Sequence, residues 1–371
     1  MNDSDIKPET AATLKEHTIT VLLIDDQAMV GEAVRRMLQA EKDIRFHYCQ
    51  DPSKALATAE EVNPTIILQD LVMPDIDGLT LAKYFRANAK TRDVPMIVLS
   101  TKEEPKIKAE AFSLGANDYL VKLPDKIELI ARIRYHSKGY INLLQRNEVM
   151  ARLTEELAEA ALYVKNLLPP PVAEGPITTD WRFISSTSLG GDAFGYHWMD
   201  ENRFAMYLLD VCGHGVGAAL LSVSVLNVLR SQTLPATDFA RPGSVLTSLN
   251  DRFQMENQNG MYFTIWYGVY DKRTHTLTHA SGGHPPALFL EGTDLSPLSL
   301  LRLESRNMVI GGMPDLVFRE KTTELPVPGR LYLFSDGCYE VDRPDGKVWT
   351  YDEFAAYMSE PAESGQSPMD R

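Results

Sequence analysis

An α/β domain, a long helix and then an α+β domain is the fold predicted for this chain of 371 residues, and three observations predict it. From Thr18 to Lys138 short apolar runs alternate with helical patterns, which is the signature of a doubly wound parallel sheet. Between Arg132 and Leu168 the composition is helical, with no proline and with Gly139 as the one glycine. After Pro169, Pro170 and Pro171 the texture turns to β-rich runs with turns, broken by two helical stretches, and predicts a β-sandwich flanked by helices. The predicted divisions are 18–138, 139–168 and 169–371.

The bulk numbers agree with two domains and a connector, at about 150 residues per domain. Hydrophobic content of 44% and charged content of 24% describe an ordinary soluble globular protein. A net charge of -14 argues against nucleic acid and anionic membrane as partners, because both demand basic surface. The three cysteines, Cys49, Cys212 and Cys338, form no paired framework, and the N-terminal "MNDSDIKPETAATLKEH" lacks a signal-peptide core. No apolar stretch approaches the ~18 residues that span a bilayer. The expectation is a cytoplasmic protein.

In the first domain the runs are "ITVLLID", "AVRRMLQA", "PTIILQD", "LAKYFRAN", "PMIVLS", "KAEAFSLG" and "DYLVKLP". Ligands of such sheets bind beyond the carboxyl ends of the strands, so the residues closing each run matter most. These are Asp25 and Asp26, Asp70, Ser100 and Lys122. Three carboxylates on one rim repel one another unless a hard cation joins them, and Mg2+ takes such oxygen ligands. A hydroxyl and an ammonium beside them suit phosphoryl oxygens, which leaves one carboxylate to accept phosphate. A single Asp after a strand is more often a turn residue or a helix cap; the conjunction is what carries weight.

Together "LLIDDQ", "IILQDLVMPDIDGL", "IVLST" and "DYLVKLP" resemble the receiver domain of two-component response regulators, which is flavodoxin-like in fold. The intervals fit as well: Asp26 lies 44 residues before Asp70, Ser100 lies 30 after it and Lys122 lies 52 after it. The resemblance implies that Asp70 is the phosphoacceptor and that Asp25, Asp26, Asp70 and the Val72 carbonyl hold Mg2+. It further implies that Ser100 and Tyr119 form a switch pair, that Lys122 contacts the phosphoryl group, and that a sensor histidine kinase is the partner. "DLVMPDIDGLTL", "VLSTKEEP" and "NDYLVKLPD" are most similar to receivers of the WspR type, which implies a chemosensory-style kinase. One departure stands out, since Leu123 separates Lys122 from Pro124 where most receivers have Lys-Pro with a cis bond.

Along the connector, steps of three and four give Leu143, Arg146, Met150, Leu153, Leu157, Ala160, Val164 and Leu167, seven of the eight apolar. This a/d spacing predicts a two-helix coiled coil and a homodimer through residues 143–168. The other reading is one amphipathic helix lying on its own domain. The prolines at 169–171 then stop the helix.

The second domain reads as "RFAMYLLDV", "MYFTIWYGVY", "HTLTHAS", "PALFLE" and "RLYLFSDG", with helical patterns "VGAALLSVSVLNVLR" and "GSVLTSLNDRFQME". Two strands are expected to end alike, with Asp210 in "LLDVCGHG" and Asp336 in "LFSDGCYE"; Asp192 sits in "SLGGDAFGY". Gly213, Gly215 and Gly217 meet neither the dinucleotide spacing nor the Walker spacing. Carboxylates at strand ends instead suit a pair of divalent cations, which can lower the pKa of a shared water and align it on phosphorus. The ordered set "GGD", "DVCGHGVGAAL", "SGGHPPAL" and "SDG" resembles metal-dependent Ser/Thr phosphatases of the PPM family, SpoIIE/RsbU type. Two Mn2+ or Mg2+ are then implied, with Asp210 bridging both, Val211 (carbonyl) and Asp192 on the second, and Asp336 on the first.

His214, Gly282 and His284 read as structural members of these motifs. A zinc site from Cys212, His214, His284 and Cys338 is disfavoured, because Cys-x-His is not a usual zinc spacing. The family's further metal aspartate, in a terminal "DD-[IVL]-T" strand, has no counterpart before "ESGQSPMDR". The C-terminus therefore reads as incomplete, either as a shortened chain or as a degenerate domain. The expected function is a response regulator whose phosphorylation at Asp70 controls a protein Ser/Thr phosphatase. For that family the usual substrate is a phosphorylated anti-sigma-factor antagonist of the STAS fold, in a partner-switching pathway. The alternative is a pseudophosphatase adaptor that binds a sigma factor or its antagonist without catalysis. A DNA-binding regulator is disfavoured by acidity and by the lack of a basic helix-turn-helix segment.

Overall fold

The structure, a computed structural model, describes residues 17–360 apart from 75, 102–103, 186–188, 293–298 and 344–345. It divides into two units between Leu153 and Thr154. The first contains β1 (Ile19–Ile24), α1 (Ala28–Leu38), β2 (Ile44–Cys49), α2 (Ala55–Val62), β3 (Ile66–Asp70), α3 (Gly78–Ala87), β4 (Met96–Ser100), α4 (Pro105–Ser113) and β5 (Asp118–Val121). All five strands are parallel in the order β2-β1-β3-β4-β5. The reversal of order between β1 and β3 leaves a crevice at their carboxyl ends, where such folds bind ligands.

The central strands are apolar throughout because helices cover both faces. Leu23 and Leu68 pack with Val34 of α1, whereas Leu22 and Ile67 pack with Ala59 of α2 and Phe85 of α3. The two elements absent from the sequence reading are β2 and α2. Strand β2 lies at the sheet edge and buries only Ile44 and Cys49 of "IRFHYC", so it carries no continuous apolar run.

Helix α5 (Lys126–Asn166) is a single helix of 41 residues, about 60 Å at ~1.5 Å per residue. The division expected at 138/139 falls inside it, and Gly139 does not interrupt it. Its first turns belong to the first unit: Leu129 and Ile133 enter the core beside α1, and the Ser137 hydroxyl meets that of Thr65 at 3.2 Å. On the predicted stripe, Met150 and Leu153 stay exposed at 56% and 47%. Leu168, just past the helix, enters the core of the second unit.

That unit contains β6 (Ala193–Trp198), β7 (Arg203–Val211), α6 (Val216–Ser231), α7 (Pro242–Arg252), β8 (Phe263–Asp271), β9 (Thr276–Gly282), β10 (Ala287–Glu291), β11 (Ser299–Leu303), β12 (Lys321–Glu324), β13 (Gly329–Tyr332) and α8 (Tyr351–Ser359). One antiparallel sheet runs β12-β9-β8-β7-β6 and the other β11-β10-β13. Helices α6 and α7 cover the first sheet through Val225, Leu226, Val245 and Leu249. The sheets meet through Trp266 and Leu277 against Ala287, Phe289 and Leu303, and α8 closes the far face with Ala355 and Met358 on Leu288. The layers are therefore helix, sheet, sheet, helix.

One expectation needs correction. The run "RLYLFSDG" is strand only to Tyr332, and Asp336 begins a 3-10 turn, Asp336–Cys338, instead of ending a strand as Asp210 does. The terminal segment "ESGQSPMDR", on which the reading of an incomplete end rests, lies outside the described residues. Among the described residues no helix is long and apolar enough to cross a membrane.

Candidate functional site

Among the described residues, each unit brings aspartates together at one place. In the first, β1 and β3 end side by side and deliver Asp25, Asp26 and Asp70, whose carboxylate oxygens lie within 4.8 Å of one another. Asp25 and Asp70 are buried. Between them sits the Lys122 ammonium, 2.8 Å from Asp25 Oδ2 and 2.7 Å from Asp70 Oδ2. Burial raises the Asp25 pKa, and the bond from Lys122 only partly offsets this. For Lys122 burial pulls the other way, yet its bonds to Asp25 and Asp70 outweigh it and the pKa is raised, so the ammonium stays charged. Asp26 Oδ1 is buried with no hydrogen-bond partner, a placement that suits a cation. Three carboxylates against one ammonium leave two negative charges, which is what one divalent ion neutralises. The residues fit Mg2+.

Backbone close approach fixes this geometry. A side chain on Gly78 would put its Cβ 2.3 Å from the Asp70 carbonyl, so only glycine lets α3 start against the loop that follows β3. The Gly78 amide donates to Leu71 O at 3.0 Å, the Gln69 amide donates to Gly78 O, and Asp77 caps α3 by accepting from Thr80 N. Val72 lies in this loop with its side chain exposed. Ser100 closes β4 and is buried; Tyr119 of β5 is buried among Leu71, Val98 and Ala111, with Lys108 over its ring at 5.1 Å. Leu123 does not displace Lys122, because Lys122 N still donates to Ser100 O at 2.9 Å. The Leu123–Pro124 bond is trans; the cis peptide among the described residues is Val327–Pro328.

The second pocket forms where β7 ends. Leu209 and Val211 enter the helix-side core, so strand alternation turns Asp210 to the opposite face. Gly191 brings Asp192 beside it: a Cβ there would lie 2.5 Å from the Val211 carbonyl. The Ser335 hydroxyl donates to Asp192 Oδ2 at 2.9 Å, and Asp192 Oδ1 is buried without a hydrogen-bond partner. Burial, then the negative charges of Asp192 and Asp336, then the bond to Asp192 push Asp210 up to about 7. Asp192 is raised too, by burial, although its bonds to Ser335 and Asp210 oppose this. Among the described residues no Lys or Arg ion-pairs with Asp192, Asp210 or Asp336. Asp336 is exposed on its turn, and the three do not converge as the first trio does. The orphaned oxygen and the raised Asp210 fit divalent cations.

The glycine turn after Asp210 uses Gly213 and Gly215 at φ +88 and +92, a region glycine adopts without strain, so that α6 starts six residues after Asp210, at Val216. His214 is exposed there. His284 is buried, with Nδ1 2.8 Å from Thr264 Oγ1 and Nε2 3.2 Å from Phe334 O. Burial pushes its pKa down to about 4 despite the Phe334 bond, so the ring is neutral. Both ring nitrogens are engaged, which removes it from any zinc set. Thr264 and Ser335 are the residues that sequence reasoning missed; "FSDG" carried Ser335 in plain view, but nothing local marks Thr264.

Residues 21–134 match the response regulator receiver domain family, and residues 200–370 match the family described as stage II sporulation protein E (SpoIIE). The phosphoserine phosphatase RsbP of Bacillus subtilis is 29% identical over 201 residues, covering 53% of this chain and 47% of RsbP. The phosphoserine phosphatase RsbU of the same organism is 28% identical over 170 residues, covering 44% of this chain and 48% of RsbU. The DNA-binding dual master transcriptional regulator RpaA of Synechocystis is 29% identical over 159 residues, covering 43% of this chain and 57% of RpaA. The chain spans about half the length of the curated relatives it matches.

Proposed function

From a chain that joins a receiver domain to a SpoIIE-type PPM phosphatase domain, we propose a response regulator whose phosphorylation at Asp70 controls hydrolysis of phosphoserine or phosphothreonine on a protein substrate. The observation that carries the reading is the Asp192–Asp210 pair: two carboxylates that raise the cost of ionising Asp210, one orphaned oxygen and, among the described residues, no Lys or Arg ion-paired with them. A receptor for divalent ions explains that arrangement, and a purely structural cluster does not. PPM phosphatases depend on Mn2+ or Mg2+, which when bound lower the pKa of water and neutralise a phosphoryl group. Asp210 holds the central position, Asp192 is oriented by Ser335, and Asp336 and the Val211 carbonyl complete the set. His214, exposed four residues beyond Asp210, is offered to the leaving hydroxyl.

In the receiver, Asp70 takes the phosphoryl group from a sensor histidine kinase. Lys122 holds its carboxylate in place and is positioned to meet phosphoryl oxygens, with Asp25, Asp26 and the Val72 carbonyl around Mg2+. Ser100 and Tyr119 read the change. The names of RsbP and RsbU support a phosphoserine substrate, and a phosphorylated STAS-domain antagonist is the substrate class we assign. The exposed Met150 and Leu153 support a homodimer through residues 143–168. Replacing Leu153 and Leu157 with Glu should then give monomers by light scattering; a parent chain monomeric at tens of micromolar sinks the dimer.

The deciding experiment measures Mn2+-dependent release of phosphate from a phosphoserine STAS protein, with and without beryllofluoride on the receiver. Release that needs Mn2+ and changes with beryllofluoride is expected. A chain that binds substrate but releases no phosphate under either condition overturns the enzymatic reading in favour of an adaptor.

A further inference from the structure

We propose that His284 is a positioning residue that sets the reach of Asp336 toward Asp210, so that one cation position is built by an imidazole instead of by strand pairing. The inference rests on the metal-site reading above. Asp210 is fixed by the β7–β8 ladder, in which its direct partner is Thr264. Among the described residues, Asp336 has no ladder partner of that kind. The pairing of β13 with β10 begins at Leu288 and Tyr332, and the chain then runs unpaired through Leu333, Phe334 and Ser335 to the turn.

Three restraints hold that stretch. The Phe334 ring packs on Phe354 at 4.8 Å, in a cluster with Tyr339 and Tyr351. Ser335 donates to Asp192. His284 takes the Phe334 carbonyl on one ring edge and Thr264 on the other. The imidazole thus spans from the residue across from Asp210 to a carbonyl two residues before Asp336. A neutral ring does this in one tautomer, with Nε2–H donating to Phe334 O and Nδ1 accepting from the Thr264 hydroxyl. Its own backbone is held, since Ser281 Oγ donates to His284 O at 2.8 Å.

A filler of the same volume would meet the packing need alone. What histidine adds is two directed bonds at a fixed separation, and these link two aspartate-bearing segments before any cation arrives. Residues that orient metal ligands in this way typically govern affinity by about 10- to 100-fold.

The test uses the full chain and its Gln, Asn and Ala variants at 284. A Gln amide reaches where Nε2 sits and keeps the donor to Phe334; an Asn amide reaches only where Nδ1 sits. Mn2+ affinity is measured by titration calorimetry, beside the melting temperature and the Mn2+ dependence of phosphoserine hydrolysis. His284→Ala and His284→Asn should weaken Mn2+ by about 10-fold or more, while His284→Gln stays within about threefold of the parent. Hydrolysis should recover at saturating Mn2+. Should His284→Ala not fold, Thr264→Val keeps the volume and deletes only the hydroxyl, and weaker Mn2+ binding is expected again. Lower melting temperatures with unchanged Mn2+ affinity across the series overturn the proposal and leave His284 a packing residue. A parent that binds no Mn2+ overturns the metal-site reading and this inference together. A parent that binds Mn2+ but hydrolyses nothing overturns the enzymatic reading alone, because the calorimetric comparison still decides on His284.

Discussion

Both pockets bring aspartates together, yet they handle the accumulated charge in opposite ways. The receiver pocket carries its own cation: Lys122 is only 6% exposed and bonds Asp25 and Asp70 together. The phosphatase pocket has no such partner among the described residues, and it resolves the repulsion by raising Asp210 to about 7. On the proposed function, the difference follows from what each must do. A phosphoacceptor needs a standing ammonium to hold a carboxylate ready and to meet the incoming phosphoryl group. A two-cation hydrolase needs its charge unpaid until metal arrives, because a resident lysine would compete for the same oxygens.

The comparison breaks most completely at the two central carboxylates. Asp70→Asn should abolish uptake of beryllofluoride or of a small phosphodonor, and equal labelling of variant and parent would remove Asp70 from its role. Asp210→Asn should lower phosphoserine hydrolysis by about 10³-fold and weaken Mn2+ binding, with Asp192→Asn less harmful because it serves one cation. Turnover by Asp210→Asn at the parent rate would sink the metal assignment.

A subtler substitution makes the first pocket resemble the second. Lys122→Met strands two buried carboxylates and should cost about 3 kcal/mol of receiver stability in EDTA, largely restored by Mg2+. Insensitivity of the variant's melt to Mg2+ would show that Lys122 is not the counter-ion. The smallest effect is a pH dependence in the metal-free phosphatase domain. Asp210 has a folded pKa near 7 against an ordinary 3.8, so its contribution is present below the ordinary value and lost as pH rises through 7. Calorimetry in EDTA should give a higher melting temperature at about pH 5.5 than at about pH 8, by a few degrees. Mn2+ should narrow the gap and Asp210→Asn should remove it; a melt indifferent to pH in the parent contradicts the raised Asp210.

How much of this was legible depended on whether the signal was local. Asp25, Asp26, Asp70 and Lys122 could be read because parallel strands present their carboxyl ends to one rim, so position along each run fixed position in space. Asp210 and Asp336 stood out at expected strand ends and Asp192 beside two glycines, and the resemblance supplied the role of each. Their different supports were not legible, since "LLD" and "FSD" look alike while only the first is strand to its end. Thr264 was invisible because its importance comes from cross-strand pairing with Asp210 and from a bond to a residue 20 positions away. Strand β12, "KTTE", is an exposed edge with no apolar period to detect. Helix α8 did carry a signal that went unread, the capping box of Thr350 and Glu353.

The contrast between the β7 ladder and the Asp336 turn also implies a separation in time. Amides around Asp210 are locked between β6 and β8 and should exchange with deuterium only when the domain opens as a whole. Around Asp336 the local backbone bonds are short-range ones, Tyr339 N and Glu340 N to Asp336 O at 2.9 and 2.8 Å, and these open with the turn alone. On the proposed metal-site reading the pocket has a slow wall and a fast wall, and the fast one would set how long a complete set of ligands persists between successive openings.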